Sequence, residues 1–167
     1  MSTKVPNFIL CESTGKYRAR RALTAEQIIR AAKRVLNNQV CNGISITNSD
    51  TVKDYLVTYF AGYTNEVFLC LFMNNQNRLI TEEVLSTGSI NSSVVYPREV
   101  VKRCMALNAA SVIFAHNHPS GSTKASLADK IITKNLKEAL KLVDVRVLDH
   151  VIVGGGKAIS LAGLDLI

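Results

Sequence analysis

The chain has 167 residues, of which 47% are hydrophobic and 20% charged, with a formal net charge of +7. That suffices for one domain with its own core and a small extra element, and no apolar run nears the roughly 18 residues a membrane-spanning helix needs. The four cysteines, Cys11, Cys41, Cys70 and Cys104, form no C-x-x-C pair, and the start, MSTKVPNFILCESTG, has no secretory h-region; buried free thiols and a cytoplasmic location are expected, not a disulfide scaffold or a membrane protein.

Residues 1–22 read as an irregular, mobile basic arm around Gly15, Lys16, Arg18, Arg20 and Arg21. Of the net charge, +5 lies in residues 1–50 and +2 in the remainder. Such a basic end suits contact with nucleic acid, and equally a plain solvated surface. Thr24 to about Leu36 is expected to be a helix, with Thr24 and Gln27 as a capping box and Ile28, Ala32, Val35 and Leu36 as its apolar stripe. Asn37 and Asn38 are expected to end it, and Asn42-Gly43 to form a turn. Ser49 or Asp50 can cap a second helix over 51–60, with Val52, Tyr55, Leu56 and Tyr59 inward and Ala61-Gly62 closing it. A boundary is placed near residue 62: a basic arm and helical extension over 1–62, then the main domain over 63–167.

From Glu66 the pattern changes. Val67 to Met73 is a continuous apolar run, as expected of a strand buried on both faces. Asn74 to Asn77 makes the turn, and Leu79 to Leu85 returns as a hairpin partner that Thr87-Gly88 should break. Ser93–Val95 reads as a short third strand. Pro97 opens a helix to about Leu107, with Val101, Cys104, Met105 and Leu107 available to the core. Ser111 to Ala115 is another buried strand, running straight into His116-Asn117-His118-Pro119-Ser120-Gly121. A helix follows from Ser126 to about Leu142, with Lys130, Lys134, Lys137 and Lys141 as its wet face. Arg146–Val153 is a strand, Gly154-Gly155-Gly156 a turn, and Ala158–Leu161 a last strand. The order strand, strand, helix, strand, helix, strand indicates an α/β or α+β domain around a central sheet.

Only three histidines occur, and two form His116-x-His118. In extended backbone, residues i and i+2 point to one side, so two imidazoles at a strand end can grip one metal ion. The alternative is two histidines hydrogen-bonded in a tight Pro-Gly turn. Ser126 and Asp129 share the first turn of the next helix, and the intervening loop is long enough to fold that helix start back beside the histidines. Asp129 then supplies a third ligand and leaves one position open, the arrangement of a catalytic zinc. Helix capping by Ser126 and Asp129 accounts for the same pair and is compatible with ligation. Hydrolysis also needs a base. Glu66, at the mouth of the most hydrophobic strand, is the best candidate, although spacing alone does not select it over Glu82, Glu83 or Glu99. Asp149-His150 can be a pair behind the metal or a remote ligand, but is read as a strand-end histidine with a satisfied hydrogen bond.

The run His116-x-His118, seven residues, Ser126, two residues, Asp129 resembles the JAMM (MPN+) zinc metalloprotease motif at every spaced position. The longer text YPREVVKRCMALNAASVIFAHNHPSG, with LDHVIVGGG later, is similar to the RadC-like branch of that family. The resemblance covers about residues 50–167. It implies a mixed sheet flanked by helices, in a cytidine-deaminase-like arrangement, and one zinc ion on His116, His118 and Asp129. It also implies Glu66 as general acid/base, Ser126 as the residue that stabilises the oxyanion, and a peptide or isopeptide bond in a protein substrate as target. Two departures stand out. Ala125 takes the place where RadC-like loops often carry proline, and residues 1–62 show no helix-hairpin-helix pattern. The rival expectation is a nucleic-acid-associated RadC-like module, related to DNA repair or mobile elements, that carries a structural or vestigial zinc.

Overall fold

A computed structural model describes residues 5–11, 13–41, 49–88 and 95–167. In place of an irregular arm, the N-terminal segment forms an antiparallel hairpin of β1 (Phe8–Cys11) and β2 (Lys16–Ala19), with Phe8 opposite Ala19 and Gly15 turning at φ +66. Alternating Ile9, Tyr17 and basic residues suit an extended ribbon, but both strands are largely exposed. Cys11 on β1 is exposed too, so the expectation of buried thiols holds for Cys70 and Cys104 and fails there.

Helix α1 (Ala25–Cys41) starts as expected: Thr24 and Gln27 exchange side chain-to-backbone hydrogen bonds of 3.2 and 3.3 Å. It runs past Asn37 and Asn38, because asparagine weakens a helix only slightly without a glycine or proline to stop it. Its stripe is also rotated from the expected one, with Ala31 buried and Ile28 exposed. Helix α2 (Ser49–Phe60) buries Val52, Tyr55, Leu56 and Phe60, while Tyr59 is only half-buried. Ser49 and Asp50, expected to cap it, are already its first turn. The residue before it, the Asn42-Gly43 turn and residues 93 and 94 of the expected third strand lie outside the described residues.

Five further strands make one sheet in the order β4-β3-β5-β6-β7: β3 (Glu66–Met73), β4 (Leu79–Gly88), β5 (Ser111–Asn117), β6 (Arg146–Gly154) and β7 (Lys157–Ser160). Only β5 and β6 are parallel, as they must be when helix α4 (Leu127–Lys141) crosses between them; the sheet is therefore mixed. Strand β4 is longer than expected. A bulge near Leu85 lets Thr87 and Gly88 pair with Val67 and Glu66, where Thr87-Gly88 was expected to end the strand.

The period of two along β3 sorts its side chains between two cores. Val67, Leu69, Leu71 and Met73 pack toward α2, with Ile113, Ala115, Val151 and Val153. Phe68, Cys70 and Phe72 pack the other way, onto α3 (Pro97–Leu107) and α4, with Val100, Cys104, Leu136 and Leu140. Met105, expected inside, is exposed, and Val100 takes the inward place. Burying each such side chain stabilises the fold by roughly 1.5–3 kcal/mol. Because α2 shares the first core with β3, β5 and β6, packing is continuous across the boundary expected near residue 62. No described helix is long and apolar enough to cross a membrane.

Candidate metal centre

Strand β5 is buried along its whole length and ends on His116 and Asn117. His116 is 1% exposed; its register partner on β3 is Phe68, whose ring stacks on it at 5.9 Å. His118 continues the extended chain, its N–H donating to Val153 O at 2.7 Å, so both imidazoles emerge on one side of the sheet end. Gly121, at φ +81, then turns the chain, and Ser122 O accepts a 2.9 Å hydrogen bond from His118 Nδ1. A carbonyl only accepts, so Nδ1 carries a proton and Nε2 is the ring atom turned inward.

Helix α4 brings Asp129 to the same point. Ser126 is its N-cap: Ser126 Oγ accepts from Asp129 N at 3.1 Å, and Asp129 Oδ2 accepts from Ser126 N at 2.7 Å. The capping box and the ligand geometry are thus one arrangement, since the backbone N–H of Ser126 orients the carboxylate toward the histidines. His116 Nε2 lies 2.9 Å from His118 Nε2 and 3.3 Å from Asp129 Oδ1; His118 Nε2 lies 3.5 Å from Asp129 Oδ2. Ligand atoms held at about 2.0–2.1 Å around a tetrahedral ion sit about 3.3 Å from one another. The three side chains therefore have the spacing and donor set to hold one metal ion, and among the described residues this group has three members.

The electrostatics agree with a cation-seeking cluster. Burial works to raise the Asp129 pKa, but the two neighbouring imidazoles and the Ser126 backbone N–H outweigh it and hold the carboxyl well below its usual range. His118 is raised, chiefly by its hydrogen bond with Asp129.

Glu66 opens β3 and is half-buried. It lies two residues before Phe68, the register partner of His116, and so at the same end of the sheet as the histidines. Its field adds to the raised pKa of His118. What holds it there is Asn117, the middle residue of the H-x-H run. Asn117 Oδ1 accepts from Val67 N at 2.8 Å, and its Nδ2 donates to Asn65 O at 2.9 Å, gripping the backbone on both sides of Glu66. Glu83, one of the acids spacing left open, pairs instead with Arg103, and Glu99 pairs with Lys102 on α3. Ser126 is exposed at the helix start, its oxygen occupied as the cap acceptor and its hydroxyl hydrogen still available to donate.

His150 was read as a strand-end residue and is not one. It lies within β6, fully buried, with Nε2 2.8 Å from His116 Nδ1 and Nδ1 2.5 Å from Thr133 Oγ1. Burial, reinforced by the neighbouring His116, pushes its pKa down to about 3, so the ring is neutral. Asp149 does not pair with that ring; it accepts backbone N–H groups from His150 and Ala162.

A family model for the RadC-like JAB domain matches residues 46–166. The chain belongs to the RadC-like JAB domain family. Among curated proteins this RadC-like JAB domain is 48% identical over 141 residues to the UPF0758 protein YfjY of Escherichia coli, covering 84% of this chain and 88% of that one. It is 45% identical over 141 residues to a UPF0758 protein of Vibrio cholerae, covering 84% and 90%. A UPF0758 protein of Pseudoalteromonas translucida is 49% identical over 143 residues, and the match spans 85% of this chain but only 63% of that longer protein. Membership accords with the five-stranded mixed sheet flanked by helices and places the chain in the JAB/MPN superfamily.

Proposed function

We propose that this chain is a zinc-dependent hydrolase, of peptidase or isopeptidase type, with His116, His118 and Asp129 as the metal ligands. The observation that carries the reading is the convergence of those three donors within the field of Glu66, with no fourth ligand in the group among the described residues. Two imidazoles and one carboxylate suit zinc, and a site with three protein ligands leaves a position for chemistry. Held by these three residues, a zinc ion would supply positive charge able to polarise a carbonyl and to lower the pKa of water. Glu66 takes the proton from the attacking water and returns it to the departing amine. The Ser126 hydroxyl donates to the oxygen on which negative charge develops. Asn117 keeps the Glu66 backbone in register, and the Ser126–Asp129 box keeps the carboxylate aimed.

Metal analysis and thermal denaturation test the site. Zinc at a hundredfold excess over its dissociation constant should stabilise the purified protein by about 2.7 kcal/mol, and a chelator should reverse the gain. His116→Ala should abolish both effects; wild-type protein that neither contains nor responds to zinc would sink the proposal.

The β1–β2 hairpin favours a second reading, a nucleic-acid-associated module whose metal site is structural or vestigial. Lys16, Arg18, Arg20 and Arg21 all stand exposed on or just after it, beside exposed Ile9, Leu10 and Tyr17. Such a basic ribbon can contact phosphates. On this reading duplex DNA binds in a salt-dependent way, binding survives Glu66→Gln, and deletion of residues 1–22 removes it. Binding that ignores the deletion rules the hairpin out.

A further inference from the structure

We propose that Thr133 and His150 form a buried tautomer lock, which fixes the proton of His116 on Nδ1 and so holds its Nε2 lone pair toward the metal position before any ion arrives. The inference follows from where each hydrogen can go. Thr133 Oγ1 lies 2.5 Å from Asp129 O, the i−4 carbonyl in the same helix. Two oxygens this close require a hydrogen between them, and a carbonyl cannot supply it. The Thr133 hydroxyl therefore donates to Asp129 O and has only lone pairs left. His150 Nδ1, 2.5 Å from the same oxygen, must then be the donor. A neutral imidazole carries one N–H, so His150 Nε2 is an acceptor. The atom facing it at 2.8 Å is His116 Nδ1, which must donate. His116 Nε2 is left as a bare lone pair, 2.9 Å from His118 Nε2 and 3.3 Å from Asp129 Oδ1.

The chain is closed to water. Thr133 is 1% exposed, His150 0% and His116 1%, so no member can turn to solvent for another partner. It also returns to its start, because Thr133 anchors on the backbone carbonyl of Asp129, itself one of the three converging residues. Strand β6 and helix α4 are thereby tied to β5 through the ring that must be oriented. Acting through His116, Thr133 and His150 are positioning residues, and outer partners of this kind are worth about tenfold to a hundredfold in metal affinity.

The inference rests on the metal reading of the site, but its first test needs no metal. Long-range proton–nitrogen correlation spectra of isotope-labelled, metal-free wild-type protein should show both His116 and His150 protonated at Nδ1. Thr133→Val removes the acceptor for His150 Nδ1–H. His150 is then expected to move its proton to Nε2, which forces the His116 proton onto the metal-facing nitrogen. Zinc affinity, measured by competition with a chromophoric chelator, should fall about tenfold to a hundredfold, and the absorption of bound cobalt(II) should weaken in parallel. Thr133→Ser should restore affinity and tautomer together, which a purely structural role for the threonine methyl group would not produce. His150→Gln, whose carbonyl can still accept from His116 Nδ1–H, should lose less than Thr133→Val. A His116 ring protonated at Nε2 in the metal-free wild type overturns the lock, as does a Thr133→Val protein with unchanged tautomer and affinity. Wild-type protein with the expected tautomers that nevertheless binds no zinc supports the lock and overturns the metal reading alone.

Discussion

Replacing Glu66 with glutamine is expected to lower turnover by about 10²–10⁴-fold, the range for loss of a general acid–base group, while zinc content stays at the wild-type level. The amide cannot take a proton from water, yet it keeps the size of the glutamate and its place at the start of β3. The measurement is turnover on whichever member of a peptide and isopeptide panel the wild type cleaves, with metal content determined on the same samples. Asn117→Ala should move the system the same way by a different route. It leaves the buried Val67 N–H without its acceptor and Asn65 O without its donor, at a cost of about 1–3 kcal/mol. It also frees the backbone that aims Glu66, so turnover should fall more than substrate affinity. A Glu66→Gln protein that turns over like the wild type would remove the glutamate from the mechanism and leave only the metal ligands standing.

Gly154→Ala is expected to damage the metal site from the far side of the loop. A Cβ at Gly154 would lie 2.4 Å from Ser122 O and 2.8 Å from both C and O of Gly121. These are backbone atoms and cannot swing aside. Ser122 O is also the acceptor that sets the His118 ring, and the neighbouring Val153 O receives the His118 N–H. Overpacking of this kind costs about 1–3 kcal/mol, which corresponds to a drop of roughly 2–12 °C in melting temperature for a chain of this size. Zinc affinity should fall at the same time, by about tenfold or more. Gly156→Ala is the contrast: its Cβ meets nothing within 4 Å, although φ is +75. It should carry backbone strain alone and leave zinc affinity where it was. Equal affinities in the two variants would mean that the contact between β6 and the histidine loop has no part in shaping the site.

Much of the site was legible because it is written in short spacings. His116 and His118 are two apart in a strand, and Ser126 and Asp129 are three apart at a helix start; local geometry decides which way each pair points. The continuous apolar run along β3, the capping box at Thr24–Gln27 and the helix cap at Ser126–Asp129 are local in the same sense. What failed to read was the N-terminal hairpin, whose few apolar residues give little periodicity, and the continuation of α1, which asparagine permits but does not announce. Glu66 was favoured by its place at the mouth of the apolar strand, but spacing alone did not select it over Glu82, Glu83 or Glu99, and the resemblance added the rest.

The sequence by itself determined the three candidate ligand residues, the helix that carries the carboxylate, and the two-sided hydrophobic strand that forms the centre of the sheet. Each is built from short local spacings, the H-x-H pair in a strand and the Ser126–Asp129 pair at a helix start among them, where backbone geometry leaves few choices. Only the tertiary structure decided what stands behind and beside the triad. Asn117 reaches Val67 across 50 positions, His150 meets His116 across 34, and Gly154 touches Ser122 because parallel β5 and β6 end side by side. Strand register and crossover topology set those meetings, and both are global properties that emerge when the whole sheet assembles around its two cores.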